Sequence, residues 1–411
     1  MSQHARILLS LIVGLVIGIA AANAGGGWVN AAIDIAQPVG EAWLAGLKMT
    51  IIPLVVSLLV TGVAATAETA RSGRVAARAL ALFMTFLVAS ATLAAVLMPA
   101  LLALWPLDPT AAGALKRALA EVKPVGDVPG FAAFMKSIVP SNPVAAAANG
   151  EMLPLIVFTM VFAFAITRLN PARRDTLVAL FQALADAMLV IINWVLAIAP
   201  IGVAALAFVV GARAGTAAVG ALVHYIALYS AVGFVIMLIA YPVAVLGGRV
   251  PLGRFARAVA PAQAVAISTQ SSLASLPAML TGAEAAGLPV RIAGVVLPLA
   301  VAVFRVTAPA MNLAVTLYIA NWYGIALSPF QLAAGVIAAS LTTFNGVGLP
   351  GQVTFIASIA PICLAIGVPI EALGLLIAVE TIPDIFRTLG NVTMDVAVTA
   401  TVARGERALE P

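Results

Sequence analysis

The run Glu380-Thr-Ile-Pro-Asp384-Ile-Phe-Arg387-Thr388-Leu-Gly-Asn391-Val-Thr-Met-Asp395 sets charged and amide side chains into an apolar stretch near the C-terminus. Ionisable groups at bilayer depth each cost about 2.5–3.5 kcal/mol on insertion scales. A chain keeps them where they face a cavity, a partner or a ligand. At about 100° per residue, Glu380, Asp384, Arg387, Thr388, Asn391 and Asp395 fall on one stripe roughly 100° wide. The stretch therefore reads as a membrane helix with a polar seam carrying both signs of charge, a substrate site by default. The alternative for Asp384 and Arg387 is a structural ion pair at i, i+3. A pair that only satisfied itself is replaceable by apolar residues at little cost.

The remainder of the chain agrees with a membrane setting. Hydrophobic residues make up 63% of the 411 residues and charged ones 9%, against about 25% charged in soluble domains. Apolar runs of about 20 residues recur, which predicts an all-α integral membrane protein. The net charge of +5 reflects Arg in short loops and calls for no nucleic acid. Cys363 is the single cysteine, so no internal disulfide is expected and the thiol reads as packing. Ser271 or Ser272 as a nucleophile would need a base within reach, and the histidines are His4 and His224 alone. No Gly-x-Ser-x-Gly or His-Glu-x-x-His pattern occurs. The chain is not expected to be an enzyme, nor to hold a metal or a cofactor. A passive channel is disfavoured too, because closely spaced opposite charges suit a zwitterionic substrate better than an open pore.

Spans are expected over residues 7–24, 43–65, 80–104, 153–166, 178–210 and 217–246. The first could instead be a cleaved leader, since Ala22-Asn23-Ala24 resembles a cleavage site. The length of its apolar run and the membrane segment after it favour a retained span. Arg71, Arg74 and Arg78 follow the second span, Arg168, Arg173 and Arg174 the fourth, and Arg249, Arg254 and Arg257 the sixth. By the positive-inside rule this side is cytoplasmic, with both termini, in a cell inner (plasma) membrane. The loop 105–149 opposes it and is expected to carry part of the fourth helix. His224 reads as a packed histidine. Trp28, Trp43, Trp105, Trp194 and Trp322 sit mostly near span ends, as interfacial anchors do.

Past residue 246 two apolar segments fail midway. Residues 259–285 are broken by Ser268-Thr-Gln-Ser-Ser-Leu-Ala-Ser-Leu-Pro277. Residues 332–368 are broken by Thr342-Thr-Phe-Asn-Gly-Val-Gly-Leu-Pro-Gly351. Irregular backbone at membrane depth is tolerated only where protein or a wet cavity satisfies it. A pair of interrupted segments in corresponding halves points to a transporter's binding site. The bland reading is two ordinary spans with a kink. The pattern predicts hairpin, helix, hairpin, helix, with the tips meeting beside the polar seam. Backbone N–H groups at the tips and helix N-termini can hold a carboxylate.

These residues resemble the glutamate transporter homologues, the dicarboxylate/amino acid:cation symporter family. The likeness covers nearly the whole chain. It rests on Lys48-Met-Thr-Ile-Ile-Pro53, Pro140-Ser-Asn-Pro143, Met152-Leu-Pro154, Ala199-Pro-Ile-Gly-Val203, the two tips, and above all Asp384 through Asp395. The resemblance implies eight transmembrane helices plus two re-entrant hairpins, arranged as inverted repeats in an elevator-type homotrimer. Residues 1–70 (the first two spans) and 106–215 (the fourth and fifth, with the trimer contact) would be scaffold. Residues 71–105 (the third span) and 216–405 (the sixth span, hairpins, seventh and eighth spans) would be the transport domain. It implies that Asp384 binds a substrate amino group, Arg387 a side-chain carboxylate, and Thr388 polar parts of the substrate. Asn391 would serve the main carboxylate, and Ser271, Ser272, Val347 and Gly348 the backbone that closes over the ligand. Relatives that carry plain C4-dicarboxylates lack this Asp, so its presence favours an acidic amino acid, aspartate or glutamate.

The chain also departs from that family. The usual Asn-Met-Asp-Gly-Thr, which supplies sodium ligands, is here Phe304-Arg305-Val306-Thr307-Ala308, and hydroxyl positions on the third span are matched by Phe83, Phe86 and Leu87. Asp395, a cation ligand in relatives, remains. Arg305 is therefore expected to stand in for the cation beside Asp395, leaving sodium binding doubtful and transport sodium-independent. The alternatives are an Arg305 that snorkels or pairs elsewhere, and a sodium- or proton-coupled dicarboxylate/amino acid symporter. Gln270 stands at a tip position where relatives often carry Arg.

Overall fold

The computed structural model describes residues 3–71, 73–108, 113, 138–343 and 351–407, and every regular element among them is helical. The order is α1 (Gln3–Ala24), α2 (Gly27–Arg71), α3 (Arg74–Leu104), α4 (Pro143–Asn149), α5 (Met152–Ile166), α6 (Pro171–Ala197), α7 (Ala199–Ala214) and α8 (Ala217–Pro242). Then come α9 (Leu252–Thr269), α10 (Ser272–Ala285), α11 (Val290–Val303), α12 (Thr307–Tyr323), α13 (Pro329–Thr342), α14 (Gly351–Ala365), the short α15 (Leu373–Leu376) and α16 (Thr381–Arg407). Six stretches are long and apolar enough to cross a bilayer: Ala5–Ala24, Gly27–Thr69, Arg74–Leu104, Pro171–Ala197, Ala217–Gly247 and Val290–Tyr323. The chain is a multi-pass membrane protein.

Two expected spans have different bounds in the structure. The second is the middle of α2, a helix of 45 residues with Pro38 and Pro53 inside it. At ~1.5 Å per residue it is roughly 68 Å long, far more than a hydrocarbon core. The expected span 178–210 is two helices, because Pro200 has no N–H to continue α6 and becomes an early residue of α7. Carbonyls near the break are met by side chains. Trp43 Nε1 donates to Val195 O at 3.0 Å and Gln3 Nε2 to Leu196 O at 3.0 Å.

α1 packs along α7 at backbone distance. A Cβ on Gly14 would meet Ala204 O at 2.5 Å, and one on Gly211 would meet Leu15 O at 2.6 Å. Gly14 and Gly18 form a Gly-x-x-x-Gly face, which lets apolar helices approach where lipid provides no hydrophobic drive.

α4 starts on Asn142, whose Oδ1 accepts from Val144 N–H and Ala145 N–H at 3.0 Å each. It lies within the loop 105–149, just before the fourth span. α9 and α10 form an antiparallel hairpin. Gly282 lies against Ala258 O and Arg254 Nε donates to Ala285 O at 3.1 Å. The break expected over 268–277 is narrower than the sequence suggests. α9 runs through Thr269, α10 resumes at Ser272, and Pro277 lies inside α10. α13 opens on a reciprocal cap between Ser328 and Gln331 and packs on α14. Val347 and Gly348 lie outside the described residues.

α16 is the centre of the second half and packs on α3, α8, α9, α10, α11 and α12. Its buried residues include Thr388, Asn391, Thr393, Asp395 and Thr399. α6 is the reverse: apolar, with 11% of its most apolar stretch buried. The protein thus keeps polar groups inside and offers apolar ones to its surroundings, as a membrane solvent demands.

Candidate functional site

The site begins where α16 begins. Glu380 follows a short 3-10 turn over Ile377–Val379, and its carbonyl accepts from Asp384 N–H at 2.9 Å. Helical spacing then turns Glu380, Asp384 and Arg387 to one side. Arg387 is largely buried. Its Nη2 lies 2.8 Å from Glu380 Oε1, and its Nε 3.3 Å from Asp384 Oδ1. Nη1 donates to Asn312 Oδ1 of α12 at 3.0 Å, and Nη2 also meets the Tyr229 hydroxyl of α8. That hydroxyl donates to Glu380 Oε1 at 3.3 Å. A guanidinium fork is suited to planar acceptors such as carboxylates.

Thr388 Oγ1 donates back to Asp384 O at 2.9 Å, so its lone pairs are what it can offer a ligand. Asn391 Oδ1 accepts from Thr307 N–H at 3.0 Å and from Thr307 Oγ1 at 2.8 Å. Thr307 Oγ1 also lies 3.0 Å from Arg387 O. Asn391 is therefore the tie between α16 and the start of α12.

That start is a true break. Phe304 and Arg305 are non-helical between α11 and α12, and Phe304 N–H closes α11 on Ala300 O at 2.7 Å. Phe304 stacks on Phe83 of α3 with centroids 4.4 Å apart and meets Phe86 edge-on at 6.4 Å. Asp395 is fully buried, and neither carboxylate oxygen has a hydrogen-bond partner among the described residues. Among the described residues, the cation acting electrostatically on it is Arg305, whose charge also interacts with Asp384 and Arg387.

The first hairpin tip reaches the start of α16. Gln270 takes a left-handed backbone (φ 51) and donates Nε2 to Thr381 O at 3.0 Å. Ser271 Oγ caps α10 by accepting from Ala274 N–H at 3.2 Å, and Ser272 opens that helix. On α9, Gln263 Nε2 donates to Thr393 Oγ1 of α16 at 2.9 Å. Among the described residues the structure joins Arg387 to Glu380 and Asp384, and Asn391 to Thr307, while Ser271 and Ser272 lie at the hairpin tip whose Gln270 meets Thr381. Sequence reasoning missed Tyr229 and Asn312, although a polar side chain inside an apolar helix is itself a signal. His224 is packed: Nδ1 meets the Tyr318 hydroxyl at 2.9 Å and Nε2 the Trp105 carbonyl at 2.8 Å.

A polar, charged seam inside an apolar multi-pass bundle defines an integral membrane protein. The sequence matches the sodium:dicarboxylate symporter family over residues 4–405, and the chain belongs to that family. It is 29% identical over 381 residues to the proton/glutamate-aspartate symporter of Escherichia coli, covering 91% of this chain and 86% of the relative. It is 27% identical over 417 residues to the proton/sodium-glutamate symport protein of Bacillus subtilis, covering 99% and 93%. It is 25% identical over 385 residues to the C4-dicarboxylate transport protein of Azorhizobium caulinodans, covering 91% and 83%.

Proposed function

We propose that this chain transports acidic amino acids, aspartate or glutamate, across the cell inner membrane without a sodium requirement. Asp384 holds the substrate ammonium and Arg387 its side-chain carboxylate. Thr388 accepts from polar parts of the substrate. Asn391, with Oδ1 committed to Thr307, offers Nδ2 to the main carboxylate. The tip at Ser271–Ser272 closes over it. The names of the Escherichia coli and Bacillus subtilis relatives support the substrate class.

The sodium-independent part rests on one observation, the aromatic filling at the break between α11 and α12. A hard cation needs several oxygen ligands. Phe304 and Phe83 stack there instead, and Arg305 supplies a permanently attached positive charge to Asp395. Coupling requires an ion that favours one state and then dissociates. A tethered cation does not dissociate, so it transmits no gradient. In this reading residues 71–105 and 216–405 move as a transport domain against a trimeric scaffold of 1–70 and 106–215. The Lys48–Glu371 ion pair, 2.7 Å long and partly exposed, bridges the two parts and is weak enough to break in each cycle.

The test is radiolabelled aspartate uptake into proteoliposomes with sodium, potassium or choline outside. Equal uptake in all three is expected, and a strong sodium requirement overturns the reading. A sodium- or proton-coupled symporter is the second reading, favoured by the orphaned oxygens of Asp395.

A further inference from the structure

Arg387 is engaged by the protein itself. Asn312, Tyr229, Glu380 and Asp384 all face its guanidinium. One of them is a carboxylate in hydrogen-bonding contact, Glu380 Oε1 at 2.8 Å from Nη2. A carboxylate therefore already sits on the fork that a substrate carboxylate would use.

That seat is incomplete. Glu380 is 4% exposed, and its second oxygen, Oε2, has no hydrogen-bond partner among the described residues. The Asn312 amide, whose Oδ1 accepts from Arg387, leaves Nδ2 buried and, among the described residues, unpartnered in the same cluster. A buried ion pair that serves only structure needs its remaining lone pairs and protons satisfied to offset desolvation. Here an acceptor and a donor stay orphaned beside the pair, as in a site prepared for a different occupant.

Resting on the acidic-substrate reading above, we propose that Glu380 is a built-in competitor for the substrate's side-chain carboxylate and sets both its affinity and its specificity. Binding then exchanges one carboxylate for another on Arg387. The groups around Glu380 define the exchange: Arg387 and Asp384 on α16, Tyr229 and Tyr225 on α8, and Asn312 on α12. Arg387 is the cation among them, facing two carboxylates before any ligand arrives. An incoming third carboxylate meets the negative charge of Glu380 at low dielectric. A neutral amino acid does not bring that charge. Glu380 thus lowers affinity for acidic ligands selectively, and it holds Arg387 in place when the site is empty.

Glu380→Gln separates this role from simple positioning. The amide oxygen can still accept from Arg387 and Tyr229, but the charged competitor is gone. Titration calorimetry of the purified full chain with L-aspartate and L-asparagine is expected to show aspartate binding about tenfold tighter, the difference between a charge-assisted and a neutral hydrogen bond. Asparagine binding should change far less. Unchanged or weaker aspartate binding by a variant that elutes and melts like the parent overturns the proposal. A second measurement needs no variant, namely structures of the parent chain with and without aspartate. The Glu380–Arg387 contact is expected to open beyond hydrogen-bond reach when aspartate binds. A contact that stays closed with aspartate on Arg387 overturns the competitor role alone. Failure of the parent chain to bind aspartate at all overturns the transport reading, and the competitor role with it.

Discussion

Arg387 and Arg305 lie near the same cluster of carboxylates but in opposite kinds of surroundings. Arg387 projects from a continuous helix and is met by acceptors from α8, α12 and its own first turn. Arg305 projects from a gap between helices, next in sequence to the stacked Phe304, and acts on an Asp395 whose oxygens make no hydrogen bond among the described residues. The difference separates two tasks. A fork surrounded by exchangeable acceptors suits a ligand that comes and goes. In the proposed reading, a charge fixed in a helix break beside Asp395 suits permanent occupancy.

Arg387→Lys should break this contrast most severely. It keeps the charge but loses the planar fork, and aspartate uptake into proteoliposomes should fall at least about a hundredfold, the scale of 2–3 kcal/mol in a charge-assisted contact. Arg305→Met comes next. It removes the positive charge that acts on the buried Asp395, so the thermal unfolding temperature in detergent should drop and uptake should weaken. Sodium should not stimulate what remains, because Phe304 and Val306 still offer no side-chain oxygen. Thr307→Val probes the seam between the two arginines. It removes a hydroxyl bonded to Asn391 and to Arg387 O and should destabilise by about 1–2 kcal/mol, read as a lower melting temperature. Lys48→Ala is the control. Its ion pair with Glu371 is about a third exposed on each side, so stability should change by less than about 1 kcal/mol.

Much of the second half was legible because charge in an apolar run is so costly that its spacing reports function. The seam from Glu380 to Asp395 follows from that rule, and the tip at Gln270–Ser271 from the polar interruption of an apolar segment. Other features depend on partners far away in the sequence. Nothing near Arg387 announces Tyr229 or Asn312, which arrive from α8 and α12. Asn391 reads as a ligand residue from its place on the stripe, while its Oδ1 is spent on Thr307. The division of residues 178–210 was written in Ala199-Pro200, but an apolar run on both sides hid it. The first break looked ten residues long because Ser and Pro weaken helix propensity. Packing of α9 on α10 at Gly282 and the cap from Ser271 overrode that weakness and reduced the gap to Gln270 and Ser271.

The amide of Gln3 donates to the Leu196 carbonyl close to where Pro200 divides α6 from α7. An extreme end of the described chain is thereby stitched to its midpoint, across a separation of 193 positions. Trimming those leading residues, or crowding them with an affinity tag, would strip a donor from a carbonyl in oily surroundings.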